Sequence, residues 1–134
     1  MELFDGYIAA IASEFNIKFK KENEGHYTTT IEFENNRKQE VLISLSKDES
    51  GDRMIIYHSM ISKIDNNSQA IYKKSLQINA ILDYGAIVLD KNKLMLRSSI
   101  LLHHCEPQRF MKNLLYIAAK ADELEEKFTK KDDF

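Results

Sequence analysis

The chain has 134 residues and a mass of 15.6 kDa, the size of one domain with one hydrophobic core. Hydrophobic residues make up 43% and charged residues 30%, as in soluble globular proteins, and the net charge of −2 argues against nucleic acid as the main partner. No apolar run approaches the ~20 residues that span a bilayer, and the N-terminus lacks the pattern of a signal peptide. One cysteine, Cys105, excludes an internal disulfide and is typical of the cytoplasm, where we expect the protein.

The first predicted element is an amphipathic helix at the N-terminus. Gly6 weakens this helix by up to about 1 kcal/mol relative to alanine. Asn16 tolerates the left-handed conformation that ends many helices, so we expect the helix to end there. The apolar residues at helical spacing are Leu3, Phe4, Tyr7, Ile8, Ile11, Ala12 and Phe15.

Three strands are expected next. Tyr27–Glu34 alternates between apolar and polar residues, which is typical of an antiparallel strand with one buried face. Gln39–Ser46 and Arg53–Ser62 follow after polar turns. The short segment Ile17–Lys20 is expected to be a lead-in. Because Arg53–Ser62 has apolar residues at odd and even positions, we expect cover on both of its faces for part of its length.

A second helix and a hairpin are predicted after these strands. Asp65–Ser68 offers several N-cap residues for a helix that runs to about Ile78. Residues 79–85 fit either a loop or the start of a strand. Ala86–Asp90 and Lys93–Arg97 are predicted to be the two strands of the hairpin.

The last predicted element is a long helix. Pro107 suits its first turn, and one apolar stripe continues to Phe128. Residues 130–134 are expected to be a frayed tail, which leaves residues 1–129 as one domain. The element order α-β-β-β-α-β-β-α predicts an α+β fold, with three helices on a mainly antiparallel, five-stranded sheet.

Motifs that carry catalysis are not found in the sequence. Four isolated glycines cannot build a phosphate-binding loop, and no nucleophile elbow occurs. We therefore expect no enzyme activity and no cofactor. Asp83 suits a turn or cap role, and His58, in an apolar strand, suits a core or interface role.

One cluster of potentially reactive side chains is His103-His104-Cys105-Glu106, and all four of them can ligate a transition metal. Adjacent residues in an extended segment point to opposite sides, so that at most two of them converge. A small metal-binding protein that uses His103–Glu106 is one alternative function. Cys105, just before a helix, fits either a reactive thiolate or an inert, half-buried thiol.

Apolar residues are concentrated in the segment Leu76–Leu89. One small sheet and three helices are expected to leave part of this apolar surface uncovered, and a contiguous apolar patch normally marks an interface. A two-fold homodimer would cover such a patch, although the segment also fits a buried central strand.

The element order and the segment Leu76–Asp90 resemble the type III secretion chaperone-like fold. It is shared by the class I chaperones of the Tir chaperone family, which are CesT-like, and by the YbjN-like proteins. In that fold, a helix that ends in a Leu-x-x-Asn-Ala-like run leads through a glycine-containing turn to a strand. A hairpin, here Lys91–Leu102, and a long C-terminal helix, here Pro107–Phe128, complete it. The resemblance covers nearly the whole chain.

The resemblance implies a non-enzymatic, cytoplasmic homodimer that binds an extended segment of an effector-type protein. A YbjN-like regulatory adaptor that binds a folded partner is the main alternative. The implied dimer interface consists of Ile71, Leu76, Ile78, Ala80, Leu82, Tyr84, Ala86 and Val88. The implied partner-binding residues are Leu3, Phe4, Tyr7, Ile8, Ile11, Tyr27, Thr29, Ile31 and Phe33. An edge strand can accept a partner's strand through main-chain hydrogen bonds.

Overall fold

The computed structural model describes residues 2–64 and 69–129. These residues confirm the α+β class, the three helices and their order along the chain, but the sheet has six strands rather than the predicted five. A short 3₁₀ turn, Leu102–His104, precedes the last helix. The elements are α1 (Glu2–Phe15), β1 (Lys20–Asn23), β2 (His26–Glu32), β3 (Lys38–Lys47), β4 (Arg53–Lys63), α2 (Gln69–Asn79), β5 (Ala86–Asp90), β6 (Lys93–Leu101) and α3 (Pro107–Thr129).

The six strands form one antiparallel sheet in the order β1-β2-β3-β4-β6-β5. Because side chains alternate between the two faces of a strand, directly opposed residues share one face of the sheet. One row of opposed residues crosses all six strands: Lys20, Thr28, Leu42, His58, Arg97 and Ala86.

The sixth strand is β1, which the sequence analysis had treated as a lead-in. Its pairing begins at Lys20, opposite Thr28, and contains a bulge between Lys21 and Asn23. All four of its residues are exposed and polar, so no hydrophobic period marks it in the sequence. It exists because the turn at Gly25, with a φ of 74°, folds the chain back onto β2.

The hydrophobic core lies between one face of the sheet and the helices. Tyr57 of β4 is fully buried there, and its hydroxyl donates a hydrogen bond to the main-chain oxygen of Phe110 in α3, at 3.1 Å. The rings of Phe4 and Tyr7, on α1, make edge-to-face contacts with Tyr27 and Phe110, respectively. The predicted apolar stripes of α1 and α3 therefore face this core.

The opposite face of the sheet, called the outer face below, carries the row with Leu42, His58 and Arg97. The sequence predicts cover on both faces of β4 for part of its length, and on the outer face Ile56 is buried while Met54, His58 and Met60 are half-buried. The buried residues Ile56 and Met95 lie on the outer face and are not part of the core cluster that the helices share. The described helices pack on the other side.

Two predicted helix boundaries are confirmed by backbone geometry. Asn16 has a φ of 53°, and the main-chain N–H of Ile17 donates to the oxygen of Ala12 at 3.1 Å, which is a left-handed helix end. α2 ends at Asn79, one residue beyond the predicted end. The predicted N-cap residues 65–68 and the predicted tail 130–134 lie outside the described residues.

Candidate partner-binding surface

The residues predicted to contact a partner divide between core and surface. The core side chains pack α1 onto β2, so they present no free surface to a partner in this conformation. Phe4, Ile8, Ile11, Tyr27 and Thr29 are buried, Tyr7, Ile31 and Phe33 are half-buried, and Leu3 is 73% exposed. That these residues bind a partner stays a prediction. Of the nine, Leu3, Tyr7, Ile31 and Phe33 are accessible enough to contact a partner without a change of conformation.

Polar contacts hold α1 in place on the sheet. Asp5 accepts a hydrogen bond from the hydroxyl of Tyr27, and its other oxygen lies 3.0 Å from Nζ of Lys21. These two contacts lower the pKa of the Asp5 carboxyl, while burial and the bond to Asp5 raise the pKa of Tyr27 to about 12. The Tyr7 hydroxyl donates to the main-chain oxygen of Cys105 at 2.6 Å. α1 is thus fixed to β2 and to the start of α3.

The end of β2 has an open main-chain edge. The N–H of Phe33 donates to the oxygen of Arg37, towards β3, so by alternation the N–H and C=O groups of Thr30 and Glu32 point the other way. Pairing with β1 stops at Thr28, and in the described chain no main-chain hydrogen bond reaches Thr30 or Glu32 from that side. These two residues can therefore pair with an added strand.

A groove of about 770 Å³ lies along this edge. The segment between α1 and β1 forms one wall, held there by the Thr29 hydroxyl, which donates to the main-chain oxygen of Lys18 at 2.7 Å. Ile17, Phe19 and Ile31 are half-buried and give the groove apolar surface. An open strand edge beside apolar side chains is the arrangement that binds extended peptides by strand addition.

The opposite edge of the sheet, β5, is capped at Ile87, its second residue. The side chain of Asn79 accepts from the N–H of Ile87 at 2.6 Å and donates to its C=O at 3.2 Å. An amide side chain thus occupies the position of a neighbouring strand, and blocks strand addition at Ile87.

The predicted dimer residues lie on and after α2, with different degrees of exposure. Leu76 is 71% exposed, Ala80 and Tyr84 are exposed, Ile71, Leu82, Ala86 and Val88 are half-buried, and Ile78 is buried. Ile81, at 79%, and Leu89, at 51%, are also exposed, although neither was in the predicted interface. Residues 80–85 form turns and loop, which is one of the two alternatives expected for this segment.

In the His103–Glu106 cluster the rings of His103 and His104 are in edge-to-face contact, with their centroids 4.1 Å apart. Among the described residues, no group of three or more His, Cys, Asp or Glu side chains converges as metal ligands do. Cys105 is buried, and burial raises the pKa of its thiol, which disfavours the thiolate. Asp83 lies in a bend, where its main-chain N–H donates to the hydroxyl of Tyr116 at 3.2 Å.

Sequence reasoning missed Thr30, Glu32, Ile17 and Phe19 as candidate site residues. The alternation in β2 places Thr30 and Glu32 on its polar side. The open edge, however, depends on where β1 stops pairing with β2, and no pattern in the sequence indicates that point. The signal that was available is the alternation of Ile17 and Phe19 before a polar run.

The family model CesT_Tir_1 matches residues 4–120. The chain belongs to the CesT_Tir_1 family of type III secretion chaperones. A chain in the solved crystal structure of the ExsC-ExsE complex has the same fold, with a TM-score of 0.64 at 15% identity, over 88% of this chain and 87% of that one. None of the curated proteins compared with the chain matches it. The resemblance inferred from the sequence is confirmed. None of the described helices is both long and apolar enough to cross a membrane.

Proposed function

We propose that the protein is a non-enzymatic, cytoplasmic homodimer that binds an extended segment of an effector-type partner protein. The observation that carries this proposal is the open edge of β2 beside the groove lined by Ile17, Phe19 and Ile31. Membership of the secretion chaperone family supports it, as does the shared fold with a chain that was solved in a complex of two proteins.

Binding would add the partner segment as a strand next to β2. Thr30 and Glu32 each offer one N–H and one C=O, and each main-chain hydrogen bond contributes about 1 kcal/mol net. Side chains on one face of the added strand would contact Ile17, Phe19 and Ile31, which selects apolar residues at alternate positions. Main-chain hydrogen bonds would supply part of the affinity, and contacts with the groove would supply the specificity for apolar side chains.

Dimer formation would cover the exposed apolar residues at the end of α2 and after it. Among the described residues seven large hydrophobic side chains are exposed, and four of them come from residues 76–89: Leu76, Ile81, Tyr84 and Leu89. A two-fold axis near this segment would bury the same patch on both copies. The interface would be built from side chains, because Asn79 already caps the strand edge there.

Strand addition is tested with Thr30→Pro. Proline removes the outward N–H of Thr30, and edge positions whose N–H faces solvent tolerate it. We expect wild-type protein to bind some of a set of short peptides tiled across the proteins encoded beside its gene, and Thr30→Pro to lose that binding while it stays folded. Thr30→Val, which keeps the N–H, is the matched control. Unchanged peptide binding by Thr30→Pro, or capture of folded partners only, as an adaptor would show, contradicts the proposal.

Dimer formation is tested by light scattering. We expect a mass of about twice 15.6 kDa for the wild type and a monomer for the double variant Leu76→Glu, Ile81→Glu. Leu115→Glu is the control, because Leu115 is an exposed leucine on α3, outside the patch. A monomeric wild type at high protein concentration would overturn the dimer.

A further inference from the structure

The outer face of the sheet has an apolar centre that no described helix covers. Ile56 and Met95 are buried there, Leu42 is 38% exposed, and Met54 and Met60 are half-buried. Met60 lies directly opposite Met95 in the pairing of β4 with β6. Contiguous apolar surface of this kind normally marks an interaction site.

An arginine lies in the middle of this apolar surface. Arg97 is half-buried, opposite His58 on one side and Ala86 on the other. In the described chain its guanidinium has no ion pair and no hydrogen bond. An unpaired cation among apolar side chains is costly, because it has lost part of its hydration without gaining a counter-charge.

The side chain beside Arg97 does not neutralise this charge. Burial, and next the charge of Arg97, lower the pKa of His58, which favours the neutral imidazole, so His58 gives Arg97 no counter-charge. Asp90 acts on His58 in the opposite direction but forms no ion pair with Arg97. The centre of the outer face therefore has a positive charge that needs an acidic partner.

We propose that the outer face binds a protein segment that presents one carboxylate between apolar side chains, with the carboxylate on Arg97 and the apolar groups on Ile56, Met60 and Met95. Charge complementarity selects this occupant. Arginine and methionine are both enriched in protein interfaces relative to the rest of the surface. A second copy placed about a two-fold axis near Arg97 would bring two guanidinium groups together, which disfavours self-association through this face.

This site is distinct from the β2 edge, so each of the two proposals can be refuted without refuting the other. A segment at the outer face would contact side chains of β4 and β6, whereas the proposed partner strand contacts the main chain of β2. Thr30→Pro is therefore expected to leave binding at the outer face unchanged. If Arg97 proves to make no contribution to peptide binding, the proposed strand addition at β2 is unaffected.

The methionines allow a direct test. Met54, Met60 and Met95 lie on the outer face, whereas Met111 is buried on α3 beneath the other face. In protein labelled with ¹³C at the methionine methyl groups, we would titrate two synthetic peptides of alternating leucine and serine. The peptides are identical except for a central glutamate in one and a central glutamine in the other.

We expect the glutamate peptide to shift the signals of Met60 and Met95 but not that of Met111, and to bind about tenfold more tightly than the glutamine peptide. Arg97→Met should abolish this preference. Arg109→Met, the same change at an exposed arginine on α3, should preserve it. Equal affinity for the two peptides, shifts confined to Met111, or shifts of the outer-face methionines with protein concentration alone would overturn the proposal.

Discussion

Gly85 lies in the turn before β5, where an added methyl group has no space. Its φ is 75°, and a Cβ there would be 2.5 Å from the main-chain oxygen of Arg97. Gly51 has a similar φ of 88° but open space around it, and Gly6 lies in α1 with nothing within 4 Å of the Cβ position. The same substitution, glycine to alanine, therefore meets three different environments.

The structure predicts a different effect on the free energy of unfolding at each position. Gly51→Ala costs only the left-handed conformation, about 1–2 kcal/mol. Gly85→Ala adds a displacement of the Arg97 carbonyl, so we expect a total of about 3 kcal/mol. Gly6→Ala should stabilise by about 0.5–1 kcal/mol, because alanine favours the helix interior.

Urea unfolding followed by circular dichroism measures these differences, with all variants at one protein concentration because self-association shifts apparent stability. The order Gly6→Ala, wild type, Gly51→Ala, Gly85→Ala, from most to least stable, is the expected result. If Gly85→Ala costs no more than Gly51→Ala, the close approach of the turn to β6 is refuted.

Three further predictions concern single side chains. Tyr57→Phe removes the buried hydroxyl that donates to Phe110 and should lower the free energy of unfolding by about 1 kcal/mol, measured in urea. The folded-state pKa of Asp5 lies below its ordinary value of 3.8, so its contribution is complete above that pH and is lost as the pH falls through the folded pKa. As the pH is lowered, the free energy of unfolding should therefore fall less for Asp5→Asn than for the wild type. An equal fall in the two proteins would contradict this assignment. Cys105 should react with iodoacetamide far more slowly in folded than in urea-unfolded protein, and equal rates would contradict its burial.

The helices were predictable because their apolar stripes and end residues are local signals. Asn16 adopts the left-handed conformation expected of it, and Lys91, with a φ of 57°, occupies the predicted hairpin turn. β1 was missed because its residues have no hydrophobic period. Its pairing is imposed by the turn that precedes β2.

The candidate site was less predictable than the fold, for two physical reasons. The stripe of α1 that contains Phe4 and Ile8 was expected to face a partner, but the same pattern describes a helix face packed on its own core. The open edge at Thr30 and Glu32 depends on how far β1 pairs along β2, which is a property of register rather than of composition.

Amide hydrogen exchange at β2 tests the central proposal most directly. In the free protein, the amide of Ile31, which faces β3, should be protected, whereas those of Thr30 and Glu32 should exchange fast. On addition of a peptide that the protein binds, we predict that Thr30 and Glu32 become protected while Ile31 changes little. Continued fast exchange at Thr30 and Glu32 in the saturated complex would contradict strand addition at this edge.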